Sequence, residues 1–171
     1  MKMLGENRGL DQLWKIREDF REKIVSTYEP RAKSCQTCET QGACCEDEHF
    51  VNVRVSRLEA VAIGKVLSRL SVVRRAGVLA RAEEALSDLS AKETYACPLL
   101  EKGTGCLVHA DAKPLPCIQH ACYENSEDLP PDELLEAVEE KVDRLNRRVY
   151  GRAALLRPLP VALLDSVRSS N

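Results

Sequence analysis

Cys35-Gln36-Thr37-Cys38-Glu39-Thr40-Gln41-Gly42-Ala43-Cys44-Cys45 is the stretch on which the fold turns. Four thiols fall within these eleven residues, and the other four, Cys97, Cys106, Cys117 and Cys122, fall within the 26 residues from 97 to 122. A chain of 171 residues, 44% hydrophobic, is long enough to fold on an aliphatic core, so disulfide staples are not required. Met1 to Arg8 carries no apolar run of the kind a secretory signal needs, and no apolar run elsewhere reaches the length of a membrane span. The expected compartment is the cytoplasm, where thiols stay reduced and clustered cysteines bind metal or do redox chemistry.

Regular structure is expected on either side of this stretch. Leu13, Ile16, Phe20, Ile24 and Thr27 follow steps of three or four and predict an amphipathic helix over 9–28, ended by Pro30. Residues 31–50 read as a loop. Val51, Val53 and Val55 alternate with polar residues and predict a short strand. Ser56-Arg57-Leu58-Glu59 is a capping box, opening a helix to about residue 69. A second helix, about 72–90, carries Val73, Ala76, Leu79, Ala80, Leu86 and Leu89 as its apolar face. Gly103-Thr104-Gly105 predicts a tight turn, and Pro114 and Pro116 are expected to bracket an irregular stretch. Pro130-Pro131 starts a long helix, read as 131–157, with Leu134, Val138, Val142, Leu145 and Val149 on one face. Pro158 and Pro160 are expected to interrupt before a short C-terminal helix.

The charge balance, 25 Lys+Arg against 27 Asp+Glu, gives a net −2 and argues against a nucleic-acid binder that works by bulk positive charge. Thiolate ligation would add further negative charge. Arg31, Lys33, Lys102 and Lys113 stand close enough in sequence to moderate it.

The cysteine spacing permits specific chemistry. Cys35-x2-Cys38 can chelate one metal from a tight turn, and it can equally serve as a redox dithiol. A thioredoxin-like pair wants a preceding strand, whereas here the preceding element is a helix. Side chains of adjacent residues diverge, so Cys44 and Cys45 suit a multinuclear centre, or one binds while the other packs as a small hydrophobe. Pro98 removes a backbone amide beside Cys97 and fixes the local φ, and cysteine followed by proline occurs in iron–sulfur loops. His49, His109 and His120 follow Cys45, Cys106 and Cys117 by four, three and three residues, which keeps imidazole ligation open.

In this order the pieces resemble the YkgJ-like cysteine-cluster family, described as zinc- or iron-chelating proteins. The resemblance runs over about residues 35–122. It rests on Cys35-x2-Cys38, Gly42-Ala43-Cys44-Cys45, the segment from Val53 to Glu59, Cys97-Pro98-Leu99-Leu100, Gly105-Cys106-Leu107-Val108-His109 and Lys113-Pro114-x2-Cys117. The Cys38-to-Cys44 gap is longer than the family's spacer, His109 stands where the family has Tyr, and Lys113 where it has Arg. Lysine keeps the charge but loses the bidentate fork. Cys122 lies beyond the matched part. The resemblance implies metal chelation without fixing the metal.

The expected fold class is mainly α, with helices packed around a small irregular cysteine-rich metal centre and one or two short strands. The expected organisation is a single domain over 1–171, a cysteine-cluster core over 31–125 and a C-terminal helical extension over 131–168. The candidate metal ligands are Cys35, Cys38, Cys44, Cys45, Cys97, Cys106, Cys117 and Cys122, holding an iron–sulfur cluster or Zn²⁺ in a structural or electron-transfer role. The alternatives are a metal-dependent enzyme, redox or transferase, and a metallochaperone or interaction module. For the last, Arg144, Arg147, Arg148 and Arg152 near the end of the long helix offer a charged surface, although a solvated helix C-terminus explains them equally. The expected partner is the metal ion or cluster itself; neither nucleic acid nor membrane is expected, and a protein partner is left unidentified.

Overall fold

Leu13, Phe20 and Ile24 recur at near-helical spacing and line the buried side of helix α1 (Glu6–Thr27). The computed structural model describes residues 3–33, 42, 45, 53–92 and 95–168. These are mainly helical, and the chain divides into two units, Met1–Gln41 with Pro114–Ala154, and Gly42–Lys113 with Leu155–Asn171. No helix among the described residues is long and apolar enough to cross a membrane.

In the first unit α1 packs against α5 (Asp132–Tyr150), and the short α4 (Leu115–Gln119) packs against both. Val138, Val142, Leu145 and Val149 are buried on α5 at the expected spacing. Asn146 shares that face, and its amide is satisfied by donating to the Val142 carbonyl at 2.9 Å. The helix ends at Tyr150 rather than near 157, because Gly151 takes a left-handed φ of 72° and donates its amide to the Arg147 carbonyl at 2.9 Å. Ala32–Lys33 (β1) pairs antiparallel with Cys122–Tyr123 (β5), and a 3₁₀ turn over Glu29–Arg31 carries Pro30. The irregular stretch expected between Pro114 and Pro116 is instead the cap and first turn of α4. There a missing proline amide removes no helix bond, and the Ile118 amide reaches the Pro114 carbonyl at 3.0 Å.

In the second unit α2 (Arg57–Leu67) and α3 (Val72–Lys92) each pack against α6 (Leu159–Arg168). The capping box is formed: the Ser56 amide donates to Glu59 Oε2 at 2.9 Å, and the Glu59 amide donates to Ser56 Oγ at 3.3 Å. The expected strand appears as β2 (Arg54–Val55), with 51 and 52 outside the described residues. It pairs antiparallel with β6 (Arg157–Pro158), and the Val53 carbonyl accepts from the Leu159 amide at 2.9 Å and the Tyr95 hydroxyl at 2.8 Å. Pro160 does not interrupt α6 but sits in its first turn, where proline is tolerated.

The apolar face expected on α3 is rotated. Val73 is 81% exposed and Ala76 and Ala80 are exposed, while Val78, Ala82 and Ala85 are buried. The buried stripe thus lies beside the expected one, because tertiary packing and not hydrophobic count selects which face is covered. The predicted tight turn closes the hairpin of β3 (Leu100–Glu101) and β4 (Gly105–Cys106), with Gly103 at φ 79° and Gly105 at φ 94°.

Candidate metal centre

Cys35, Cys38, Cys44 and His49 lie outside the described residues. Cys45, Cys97, Cys106, Cys117 and Cys122 are all partly buried thiols, none of them in a disulfide.

The second unit holds three of these. The Cys45 amide donates to the Gly42 carbonyl at 2.8 Å, and the Cys45 carbonyl accepts from the Cys97 amide at 2.6 Å. Gly42 has φ 87°, and a side chain there would press within 3.2 Å of Leu100. Gly42 and Cys45 thereby lie against the Cys97–Leu100 turn, Cys45 through a backbone hydrogen bond and Gly42 through its contact with Leu100. The Cys97 carbonyl accepts from the Leu100 amide at 3.1 Å, which closes that turn around the buried Pro98 and Leu99. Leu100 pairs with Cys106 across the hairpin, and the Leu107 amide donates to the Leu99 carbonyl at 3.0 Å. A turn and a two-residue ladder thus bring the chain at Cys97 alongside the chain at Cys106.

The electrostatics of Cys97 are mixed. Burial pushes its thiol up to about 11, and the nearby Cys106 adds to the rise. Backbone hydrogen bonds from Leu99 and Leu100, and the positive charge of Arg81, act in the other direction. The net effect of the enclosure is to favour the protonated thiol.

Arg81 is the residue that cysteine spacing did not reveal. It stands on α3 between Val78, Ala82 and Ala85, so a guanidinium lies at the margin of an apolar stripe. That placement is the signal the sequence offered, since an arginine on a buried helix face needs partners. Its Nε donates to the Pro98 carbonyl at 3.0 Å, while its buried Nη2 has no hydrogen-bond partner among the described residues.

The first unit holds Cys117 and Cys122. Cys117 lies within α4, whose C-cap is the exposed His120. Cys122 lies on β5 opposite Lys33, two residues before Cys35 in the chain. Near these cysteines in sequence the Gln119 Oε1 and the Tyr123 hydroxyl are buried without a hydrogen-bond partner among the described residues. The Tyr123 hydroxyl is held above its ordinary value by burial, then by Glu29 and Tyr28. Lys33 pairs with Glu124 at 2.9 Å and Arg31 with Asp128 at 3.8 Å, so both cations already have carboxylate partners. His109 is exposed, and its amide donates to the Cys106 carbonyl at 3.2 Å.

Among the described residues no group of three or more His, Cys, Asp and Glu side chains is arranged to hold a metal ion. Glu59 is occupied by its capping role, as the Ser56 bonds require. The arginines of α5 are largely engaged: Arg144 with Glu140 at 3.3 Å, Arg147 with Asp143 at 2.9 Å, and Arg148 with Gln12 at 3.2 Å. No family model, no curated protein and no solved structure matches this chain.

Proposed function

We propose that the clustered cysteines hold a thiolate-ligated metal centre, an iron–sulfur cluster or zinc, in a structural or electron-transfer role. The observation that carries the reading is the backbone geometry that gathers cysteines: the Cys97 amide bonds the Cys45 carbonyl, and the Leu107–Leu99 bond and the Leu100–Cys106 pairing bring Cys106 alongside the Cys97 turn. Bringing like-charged thiolates together is unfavourable unless a cation joins them. Soft sulfur donors select zinc or iron–sulfur chemistry over hard cations.

In the second unit the thiols of Cys45, Cys97 and Cys106, with Cys44 adjacent in sequence, are soft donors of the kind such a group takes. In the first unit Cys35, Cys38, Cys117 and Cys122 are proposed as ligands on their spacing and on the YkgJ-like resemblance. A bound metal would supply either one-electron redox capacity or a fixed cross-link between loops. The chain's own part is to hold the sulfurs together, to donate backbone hydrogen bonds to them and to keep Cys97 enclosed.

The test is metal and acid-labile sulfide content, with an absorption spectrum, on protein purified without air. Iron with sulfide and a broad visible band identifies a cluster, and zinc without sulfide identifies a mononuclear or zinc-cluster site. Neither metal, with eight titratable free thiols, sinks the proposal.

A further inference from the structure

Arg81 reaches the cysteine turn by only one of its arms. Nε is bonded to the carbonyl of Pro98, the residue after Cys97. That bond fixes the plane of the guanidinium, since its donors form a rigid fork. Nη2 is buried and has no acceptor among the described residues. Burying a charged donor without an acceptor is strongly unfavourable, so such groups are rare in folded proteins and point to a missing anionic or acceptor group. The other arm is accommodated by Gly77, one turn earlier on α3, where a side-chain carbon would lie 3.5 Å from Nη1. The neighbouring acid Glu101 feels the Arg81 charge, but it is hydrogen-bonded by Arg74, whose Nε donates to it at 3.2 Å.

We propose that Arg81 is a positioning residue of the cysteine centre, donating through Nη2 to a metal-bound sulfur anion beside Cys97. This rests on the metal reading above and extends it to a residue outside the cysteine motifs. The sulfur is either a cysteine thiolate drawn into place by the metal or a sulfide of a cluster, and the two share one chemistry: an anionic acceptor that a guanidinium can bond. Hydrogen bonds of this kind orient ligands and tune the metal, and losing one typically costs about 10–100-fold in metal affinity.

The experiment compares full-length wild type, Arg81→Gln, Arg81→Lys and Arg74→Gln. Each is titrated with Co²⁺ against a competing chelator at fixed pH, and separately reconstituted with iron and sulfide without air. Arg74→Gln removes an exposed ion pair on the same helix and is expected to leave both readouts unchanged. A thiolate acceptor predicts Co²⁺ affinity lower by about 10–100-fold in Arg81→Gln. It also predicts little rescue in Arg81→Lys, which keeps the charge but cannot hold two fixed donors. A sulfide acceptor predicts unchanged Co²⁺ affinity with loss of cluster content in both Arg81 variants. If Arg81→Gln does not fold by circular dichroism, Arg81→Lys decides alone. Full rescue by lysine, or equal Co²⁺ affinity and cluster content in all folded variants, overturns the assignment to Arg81 while the metal reading stands. A wild type that binds neither probe overturns both.

Discussion

Alkylation of Cys97 in the metal-stripped protein tests the heart of the site. Its thiol sits at about 11 against an ordinary 9.0. At pH 8 an ordinary thiol is about 9% thiolate and Cys97 about 0.1%, a deficit of ~90-fold in the reactive form. A higher pKa makes the anion more nucleophilic, with a Brønsted coefficient of about 0.4–0.5, which returns ~6–10-fold over this shift. Cys97 is therefore expected to react about tenfold more slowly than a model thiol at pH 8, before any steric protection. Its rate should climb about tenfold per pH unit, without levelling until near pH 11. Site-resolved mass spectrometry after a timed iodoacetamide pulse at pH 7, 8, 9 and 10 gives both numbers. A rate equal to the model thiol at pH 8, or a plateau by pH 9, refutes the enclosure argument. The same shift has a stability consequence. A raised acid pKa stabilises the fold below the unfolded value near 9, and that stability is lost as pH rises through 11. The loss amounts to about 3 kcal/mol for a two-unit shift and is read as a difference in denaturant midpoint between wild type and Cys97→Ala in the metal-free state.

Two further substitutions probe the scaffold. Ser56→Ala removes the hydroxyl that accepts from the Glu59 amide and donates to its carboxylate, both buried. The expected cost is about 2–3 kcal/mol, a cap plus a charge-assisted bond, measured by urea unfolding, and a loss below about 0.5 kcal/mol contradicts the geometry. Glycine-to-alanine changes should split by conformation. Gly77→Ala, inside α3 with ordinary contact space, is expected to stabilise by about 0.5–1 kcal/mol, whereas Gly151→Ala, at φ 72°, is expected to destabilise by about 1 kcal/mol or more. Melting temperatures that move in the same direction for both would show that backbone conformation does not govern these sites.

Most of the helical frame was legible, and the reasons are local. The capping box over Ser56–Glu59, the α5 stripe and the Gly103–Gly105 turn each encode their structure within a few residues, so pattern and chemistry agree. What failed depended on context. The prolines at 114 and 160 looked like breakers, yet both stand where a helix begins, and proline is neutral there. On α3 the pattern points to Val73, Ala76 and Ala80, yet Val78, Ala82 and Ala85 are the buried ones, since two neighbouring stripes of similar hydrophobicity are told apart only by what packs on them. For the site, spacing identified the thiols and the resemblance ordered them. It could not reveal that the Cys45 carbonyl meets the Cys97 amide, because a backbone bond across more than fifty residues leaves no mark on side-chain pattern. Arg81 was visible only as an arginine in an otherwise apolar face, a flag that becomes chemistry once Pro98 lies beside it.

The conflict at Cys97 is itself informative. A cysteine kept for packing behaves as a small hydrophobe, and burial suffices for it. A buried guanidinium arm beside it would then be a liability. Here the enclosure opposes the thiolate while Leu99, Leu100 and Arg81 favour it. Selection for stability alone removes such contradictions, and folded proteins retain them where a further charge resolves them. On the metal reading proposed above, a divalent metal or cluster core would do so by replacing the thiol proton and by letting Cys97 and Cys106 share one cation. A neutral ligand or a disulfide would not do the same, since neither supplies an anionic acceptor for Arg81 Nη2. If Cys97 and Cys106 were found oxidised to one another in the native state, with Arg81→Gln stabilising rather than weakening the fold, this reasoning would fail at its first step.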